Sequence, residues 1–260
     1  YIVRPKKSLG QHFLIDLNIA QAIADTLDNY KNTPILEVGP GMGVLTQYLL
    51  SKGHDLTVVE LDHESIEYLQ ENFPELKGHI LEEDFLKLDL SKLFSGRFCV
   101  IGNYPYNISS QIFFKVLEYK DHIPCCSGMI QKEVAERMAA PPGSKTYGIL
   151  SVLLQAWYEI EYLFTVPEHV FNPPPKVKSA VIRLTRNERV ELGCEEKLFF
   201  NVVKTGFNQR RKTLRNSIRG IIPPGFDSPY LNLRPEQLGI TDFLQLCQDI
   251  EKNRNIGDKA

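Results

Sequence analysis

Short apolar runs that stop at glycine or polar residues, each followed by a segment of helical spacing, fill the first half of this chain and leave few folds open. Pro34-Ile35-Leu36-Glu37-Val38 stops at Gly39-Pro40-Gly41-Met42-Gly43, after which Val44, Leu45, Tyr48 and Leu49 recur at helical intervals. Leu56-Thr57-Val58-Val59 is closed by Glu60, and a helix is predicted over 63–72 with Ile66 and Leu69 on its apolar side. His79-Ile80-Leu81 runs into Asp84-Phe85, and the run 98–102 ends in Asn103-Tyr104-Pro105-Tyr106. A helix carrying Ile112, Phe113, Val116 and Leu117 follows, then a strand over 125–130 and a helix over 132–139. This alternation predicts an α/β fold with a mostly parallel, doubly wound sheet. In such sheets ligands bind beyond the carboxyl ends of the strands, which is where the polar stops fall.

Further on, Pro141-Pro142-Gly143-Ser144 reads as a loop and 148–158, with the lone Trp157, as a helix. Strands are predicted over 160–166 and 177–185, on either side of Phe171-Asn172-Pro173-Pro174-Pro175. After about residue 187 the pattern is helical only. The expected organisation is therefore a catalytic domain over 1–186 and a small all-α domain over 187–260. A chain of 260 residues with 43% hydrophobic content can bury the core this needs.

Charge is unevenly spread. Segment 60–84 holds nine acids and one lysine, whereas 197–226 holds Lys197, Lys204, Arg210, Arg211, Lys212, Arg215 and Arg219 with no acid. Arg4, Lys6 and Lys7 give the first fifteen residues the same basic character. Two phosphate-holding surfaces are one reading, and solvated helix faces the other. Cys99, Cys125, Cys126, Cys194 and Cys247 show no CxxC spacing and no His/Cys cluster, so reduced thiols in a cytoplasmic protein and no metal site are expected. No signal peptide or membrane span is expected, because no apolar run backs the N-terminal charges or approaches roughly 20 residues. A monomer is the simplest expectation.

The tetrad Asn103-Tyr104-Pro105-Tyr106 sets an amide, a carbonyl and a ring at a strand end. The Asn103 side-chain oxygen and the residue 104 carbonyl can each accept one N–H of an exocyclic amine, and Tyr106 can stack on a base. The Gly39, Gly41, Gly43 spacing is GxGxG rather than the GxGxxG of dinucleotide binders, and Pro40 removes an N–H that a pyrophosphate would use. Both points favour S-adenosylmethionine over a nicotinamide cofactor. Glu60 can accept from ribose hydroxyls, and Asp84 from an adenine amine with Phe85 against the ring. The leader Ser8-Leu9-Gly10-Gln11-His12-Phe13-Leu14 can fold over a ligand, although spacing alone does not make His12 a base. Phe171 could pair with Tyr106 around a base, or simply anchor its proline-rich loop. Arg210, Arg211, Lys212 and Arg215 can hold phosphates without reading sequence.

With these residues in view, the chain resembles the rRNA adenine N6-methyltransferase family, and within it the branch that dimethylates adenines of the small-subunit rRNA. The resemblance runs nearly end to end through GQHFL, EVGPGMGVLT, Glu60, Glu83-Asp84-Phe85, NYPYNISS, VFNPPPKVKSAVIRL and FNQRRKTLRNSI. It implies a Rossmann-like class I methyltransferase fold that uses S-adenosylmethionine. It further implies that Gln11, His12 and Leu14 serve the cofactor's methionine end and the glycine turn lies under the ligand. Glu60 with Leu61 would meet the ribose, Asp84 with Phe85 the adenine, and Asn103 both the cofactor and the target amine. The implied partner is 16S rRNA in the small subunit or its precursor, where two adjacent adenines of the 3′-terminal hairpin are dimethylated during subunit biogenesis. Position 104 is Tyr where the family commonly has Leu, and position 12 is His where some members have Asn. A DNA adenine methylase and a non-catalytic RNA-binding assembly factor remain alternatives on sequence alone.

Overall fold

The computed structural model describes residues 3–259, with side chains through 254. The chain divides into two compact units, one of Tyr1–Ala135 with Glu159–Arg186 and one of Glu136–Tyr158 with Asn187–Ala260. The sequence division at 186/187 grouped the segment 136–158 with the sheet, whereas its contacts group it with the C-terminal helices.

The first unit opens with β1 (Phe13–Leu14) and α1 (Leu17–Asp25). Asp16 caps α1, its Oδ1 accepting from the Asn18 and Ile19 amides at 2.9 and 3.2 Å, and Ala20, Ile23 and Ala24 form the buried face. Then come β2 (Ile35–Val38), α2 (Thr46–Ser51), β3 (Leu56–Glu60), α3 (His63–Asn72) and β4 (Ile80–Glu82). They are followed by α4 (Leu90–Leu93), β5 (Cys99–Asn103), α5 (Ser109–Glu118), β6 (Cys125–Gln131) and α6 (Lys132–Ala139). After α7 (Ile149–Gln155) of the second unit, β7 (Tyr158–Val166), β8 (Phe171–Asn172) and β9 (Ser179–Arg186) complete the strands. Trp157 thus lies between a helix and a strand rather than within the predicted helix.

Seven strands form one sheet in the order β4-β3-β2-β5-β6-β9-β7, and β1 pairs with β8 in a separate antiparallel ribbon. Strands β2 to β6 pair in parallel, while β9 joins β6 antiparallel. β2 is buried at every position, as strands covered on both faces must be. From β2 the chain winds outward through β3 to β4, then returns to place β5 on the other side of β2. The order reverses between β2 and β5, so a crevice opens at their carboxyl ends.

The second unit packs α7 with α8 (Glu196–Asn208), α9 (Leu214–Ser217) and α10 (Ile240–Lys259). Leu198, Phe199, Val202, Val203 and Gly206 line the buried face of α8, and the Tyr147 hydroxyl donates to the Leu238 carbonyl at 2.8 Å. Among the described residues no helix is long and apolar enough to cross a membrane, and no cluster of three His, Cys, Asp or Glu could hold a metal ion.

One carboxyl is buried in the sheet itself. Glu37 of β2 is 1% exposed and accepts a 2.6 Å hydrogen bond from the Thr46 hydroxyl of α2. Burial pushes its pKa up to about 8, against the pull of Thr46 and with a smaller push from Glu60. The folded state therefore keeps its proton while the unfolded chain releases it near 4.5. This group withdraws stability as pH rises from about 4.5 to about 8, and no further above that. Glu37→Gln should accordingly flatten the fall in thermal midpoint between those limits relative to the unaltered protein, as thermal unfolding across that range would read.

Candidate active site

The crevice between β2 and β5 widens into a cleft of about 220 Å³. Gly39 and Gly41, at φ +69° and +57°, carry the turn beneath it. Side chains rarely adopt that backbone, and a ligand can approach main chain that has none. Gly43 (φ +79°) does not line the cleft; a Cβ there would collide with the Phe73 ring, so this glycine serves close packing. Leu14, 4% exposed, also lies outside the cleft, lining a small cavity of about 30 Å³ beneath the turn.

Glu60 ends β3 and is 6% exposed. Its Oε1 accepts from the Gly41 amide at 3.0 Å, and its Oε2 from the amides of Leu61 and Asp62 at 2.9 and 3.1 Å. Burial raises its pKa, while these three donors pull it down. Of the roughly four acceptor directions on a carboxylate, one is left for a ligand hydroxyl. Leu61 beside it is 52% exposed at the cleft wall. Asp84 and Phe85 line the same wall, with Asp84 capping the turn 85–87 by accepting from the Leu86 amide at 3.0 Å.

Asn103 closes the other side. Its side-chain amide nitrogen donates to the His12 carbonyl at 3.0 Å. A carbonyl only accepts, so this contact fixes which end of the amide faces the leader and leaves Oδ1 as a free-standing acceptor. The His12 ring stacks on Tyr106 with centroids 5.0 Å apart and planes at 28°. Its Nδ1 lies 2.9 Å from the Pro173 carbonyl, which makes Nδ1 the protonated nitrogen, and the Tyr106 hydroxyl is bonded to Ser179 of β9. Phe171 is placed differently from the expected partner of Tyr106. It is 2% exposed, paired with Leu14 across the β1–β8 ribbon and packed in the apolar core, so its loop-anchoring role is the one the structure displays.

The leader is strapped down by charge. Lys6 Nζ lies 3.0 Å from Asp62 and 2.7 Å from Glu64, and Gln11 Nε2 donates to Asp62 at 3.3 Å. Partial burial of Lys6 lowers its pKa, but the bonds from Glu64 and Asp62 outweigh it and raise the ammonium above its ordinary value. The basic N-terminus and the acidic stretch 60–84 are thus spent partly on each other, and Lys6 is not a free phosphate ligand. Sequence reasoning also passed over Lys115. It lies on the buried face of α5, 8% exposed, with Nζ 5.4 Å from the Phe85 ring centroid and donating to the Leu88 carbonyl. Its only sequence signal is a lysine within an apolar helix face.

In the second unit the four expected RNA contacts separate. Arg210 donates to the carbonyls of Tyr147 (2.6 Å) and Ser144 (3.1 Å) and lies over Phe207, and Arg215 is held by Asp227 and Asn232 at 2.8 and 3.0 Å. Arg211 and Lys212 are exposed. Arg210→Ala should therefore cost this unit about 2 kcal/mol, as charged hydrogen bonds do. Arg211→Ala should stay within about 0.5 kcal/mol, the range of an ordinary surface change. Chemical denaturation of the two variants would show the contrast.

Comparison with known proteins agrees with this geometry. The family model described as ribosomal RNA adenine dimethylase matches residues 2–239. The chain is 73% identical to the ribosomal RNA small subunit methyltransferase A of Parabacteroides distasonis, over 97% of this chain and 96% of the relative. It is 66% identical to the protein of the same name from Bacteroides thetaiotaomicron, over 96% of each. Among solved structures, a dimethyladenosine transferase from Plasmodium falciparum superposes with a TM-score of 0.75 at 25% identity, covering 94% of this chain and 98% of that one. The 23S rRNA methyltransferase ErmE gives 0.66 at 27% identity, covering 92% and 99%. The sheet is that of a Rossmann-like class I methyltransferase, and with its model matched over nearly the whole length, the chain belongs to the ribosomal RNA adenine dimethylase family.

Proposed function

We propose that this enzyme dimethylates N6 of two adjacent adenines in the 3′-terminal hairpin of 16S rRNA, on a precursor of the small subunit and as a step in its biogenesis, acting as a monomer. The observation that carries the reading is the Asn103 amide, turned by the His12 carbonyl so that its oxygen is an acceptor at the mouth of the cleft. When bound, S-adenosylmethionine supplies an electrophilic methyl group on a sulfonium sulfur. The cleft fits it: a glycine turn open to close approach, an acidic strand end with an acceptor direction to spare, and an apolar shelf at Phe85 beside Asp84.

The target's difficulty is that the N6 lone pair is delocalised into the ring. Asn103 Oδ1 and the Tyr104 carbonyl would each accept one N–H, which favours a pyramidal nitrogen whose lone pair is free to form the new bond. After the first transfer one N–H remains to be held, and both product protons leave to water. Catalysis on this reading is positioning and polar stabilisation, with no dedicated general base. An adenine can reach these groups only unpaired or flipped out of its stack. Residues 187–260, together with 136–158, form the unit proposed to hold RNA phosphates, through the exposed Arg211 and Lys212 rather than through Arg210.

Labelled methyl transfer to small subunits lacking these modifications, followed by nucleoside analysis, tests the substrate. N6,N6-dimethyladenosine in 16S rRNA supports the reading, and label found only in 23S rRNA or DNA overturns it. Asn103→Ala should lower turnover by about a hundredfold or more while cofactor affinity stays within about tenfold. Turnover retained in that variant would exclude the Asn103 mechanism.

A further inference from the structure

Within the tetrad, Tyr104 is 1% exposed, while Asn103, Pro105 and Tyr106 are not fully buried. Its amide donates to the Met129 carbonyl at 3.1 Å, and its ring enters a slot between β5 and β6. The residues facing the slot lack side chains: a Cβ on either would first meet strand backbone, at the Val38 carbonyl for Gly102 and the Gly102 carbonyl for Gly128, and then the ring. A Cβ on Gly102 would lie 3.1 Å from Tyr104 Cε1, and one on Gly128 would lie 2.6 Å from Cε2. Gly128 also holds φ +146°, a backbone that a side chain would strain. At the far end the ring meets Phe113 edge-on, with centroids 5.6 Å apart at 72°. The hydroxyl donates to the Ser127 carbonyl at 2.7 Å and lies 3.4 Å from Cys126 Sγ. The same Ser127 is pinned through its hydroxyl, which lies 3.1 Å from the Ile182 carbonyl of β9 and 2.6 Å from the Thr26 hydroxyl behind α1. A buried polar chain thus runs from the tetrad through β6 to its neighbours on either side.

We propose that the Tyr104 side chain is a positioning residue for methyl transfer: its hydroxyl, anchored on Ser127, fixes the direction of the residue 104 carbonyl and of Asn103. This rests on the adenine-N6 reading above. The residue 104 carbonyl turns with rotation about its own α-carbon, and that rotation is blocked when the ring is wedged and its far end tethered. Pro105 holds the next φ near −57°, so the acceptor carbonyl is fixed from both sides. The glycine-walled slot is cut for the ring, and leucine would leave space at its end. A buried hydroxyl also has a cost if displaced, because away from the Ser127 carbonyl it must find another partner or lie unpaired.

The test uses the full chain with Tyr104→Phe, which keeps the ring and removes only the tether, and Tyr104→Leu, which removes both. Methyl transfer to unmethylated small subunits gives kcat and KM, calorimetry gives S-adenosylmethionine affinity, and hydrogen exchange follows the peptide spanning 99–106. Tyr104→Phe should lower kcat about tenfold with KM and cofactor affinity within about twofold, and should speed exchange at the tetrad. Tyr104→Leu should lose more on both counts. A kcat within about twofold of the unaltered enzyme overturns the proposal, as does a fall in kcat matched by an equal loss of cofactor affinity. If the unaltered enzyme itself transfers nothing to small subunits, the substrate reading has failed. Tetrad exchange in Tyr104→Phe then decides the tether by itself, and exchange unchanged from the parent overturns it.

Discussion

Val38 stands opposite Gly102 across the parallel β2–β5 pair, and the geometry of the whole cleft depends on that register. It sets the Gly39 turn beside Asn103, so close that a Cβ on Gly39 would lie 3.8 Å from the Asn103 carbonyl. The same Val38 pairs with Val59 on its other side, which brings Glu60 under the Gly41 amide. Three strand ends therefore converge within one residue of register. Since side chains alternate between faces, a one-residue slip would turn each of these groups away from the cleft. The burial of β2 at every position guards against such a slip, and Glu37 is the one polar side chain among them, tolerated by bonding to Thr46.

The leader completes what the sheet begins. Phe13 and Leu14 pair with β8, His12 reaches Asn103 with its carbonyl and Tyr106 with its ring, and Lys6 is tied to Asp62 and Glu64 at the start of α3. These contacts have an electrostatic consequence for a site proposed to hold a sulfonium. The Lys6 charge is neutralised by Asp62 and Glu64, and the groups lining the cleft at Asn103, Glu60 and Asp84 offer acceptors. A cation meets no unpaired positive charge from Lys6 and finds oxygen on several sides.

Much of this was legible in the residues. The apolar runs ending at Gly39, Glu60, Asp84 and Asn103 are local signals, and the strand-to-helix alternation makes their convergence a consequence of topology rather than of any long-range guess. What escaped the sequence depends on partners far along the chain. Lys6 and Arg210 read as free cations because their partners, Asp62 and the Tyr147 carbonyl, are separated from them by 56 and 63 positions. Phe171 read as a candidate stacking ring, since nothing local shows that β8 pairs with a two-residue β1 and draws it into the core. Segment 136–158 read as part of the sheet domain because alternation cannot tell which neighbours a helix will pack against.

The stack of His12 on Tyr106 places a constraint on how an adenine could enter. Tyr106 is fastened at its hydroxyl to Ser179 of β9, and so its ring is tied to the sheet. His12 is fastened by one ring nitrogen to the Pro173 carbonyl, in a proline-rich loop beyond β8. With centroids 5.0 Å apart, the two rings leave no space for a third between them. A base stacked on the covered face of Tyr106 must therefore replace His12, and one on the opposite face leaves His12 in place. The first route exchanges one stacking contact for another and costs the Pro173 bond; the second keeps both. In either case the His12 carbonyl, and not its ring, is the atom that holds the Asn103 amide, so the acceptor stays aimed while the ring's position changes. The orienting contact is made by backbone and asks nothing of the residue 12 side chain.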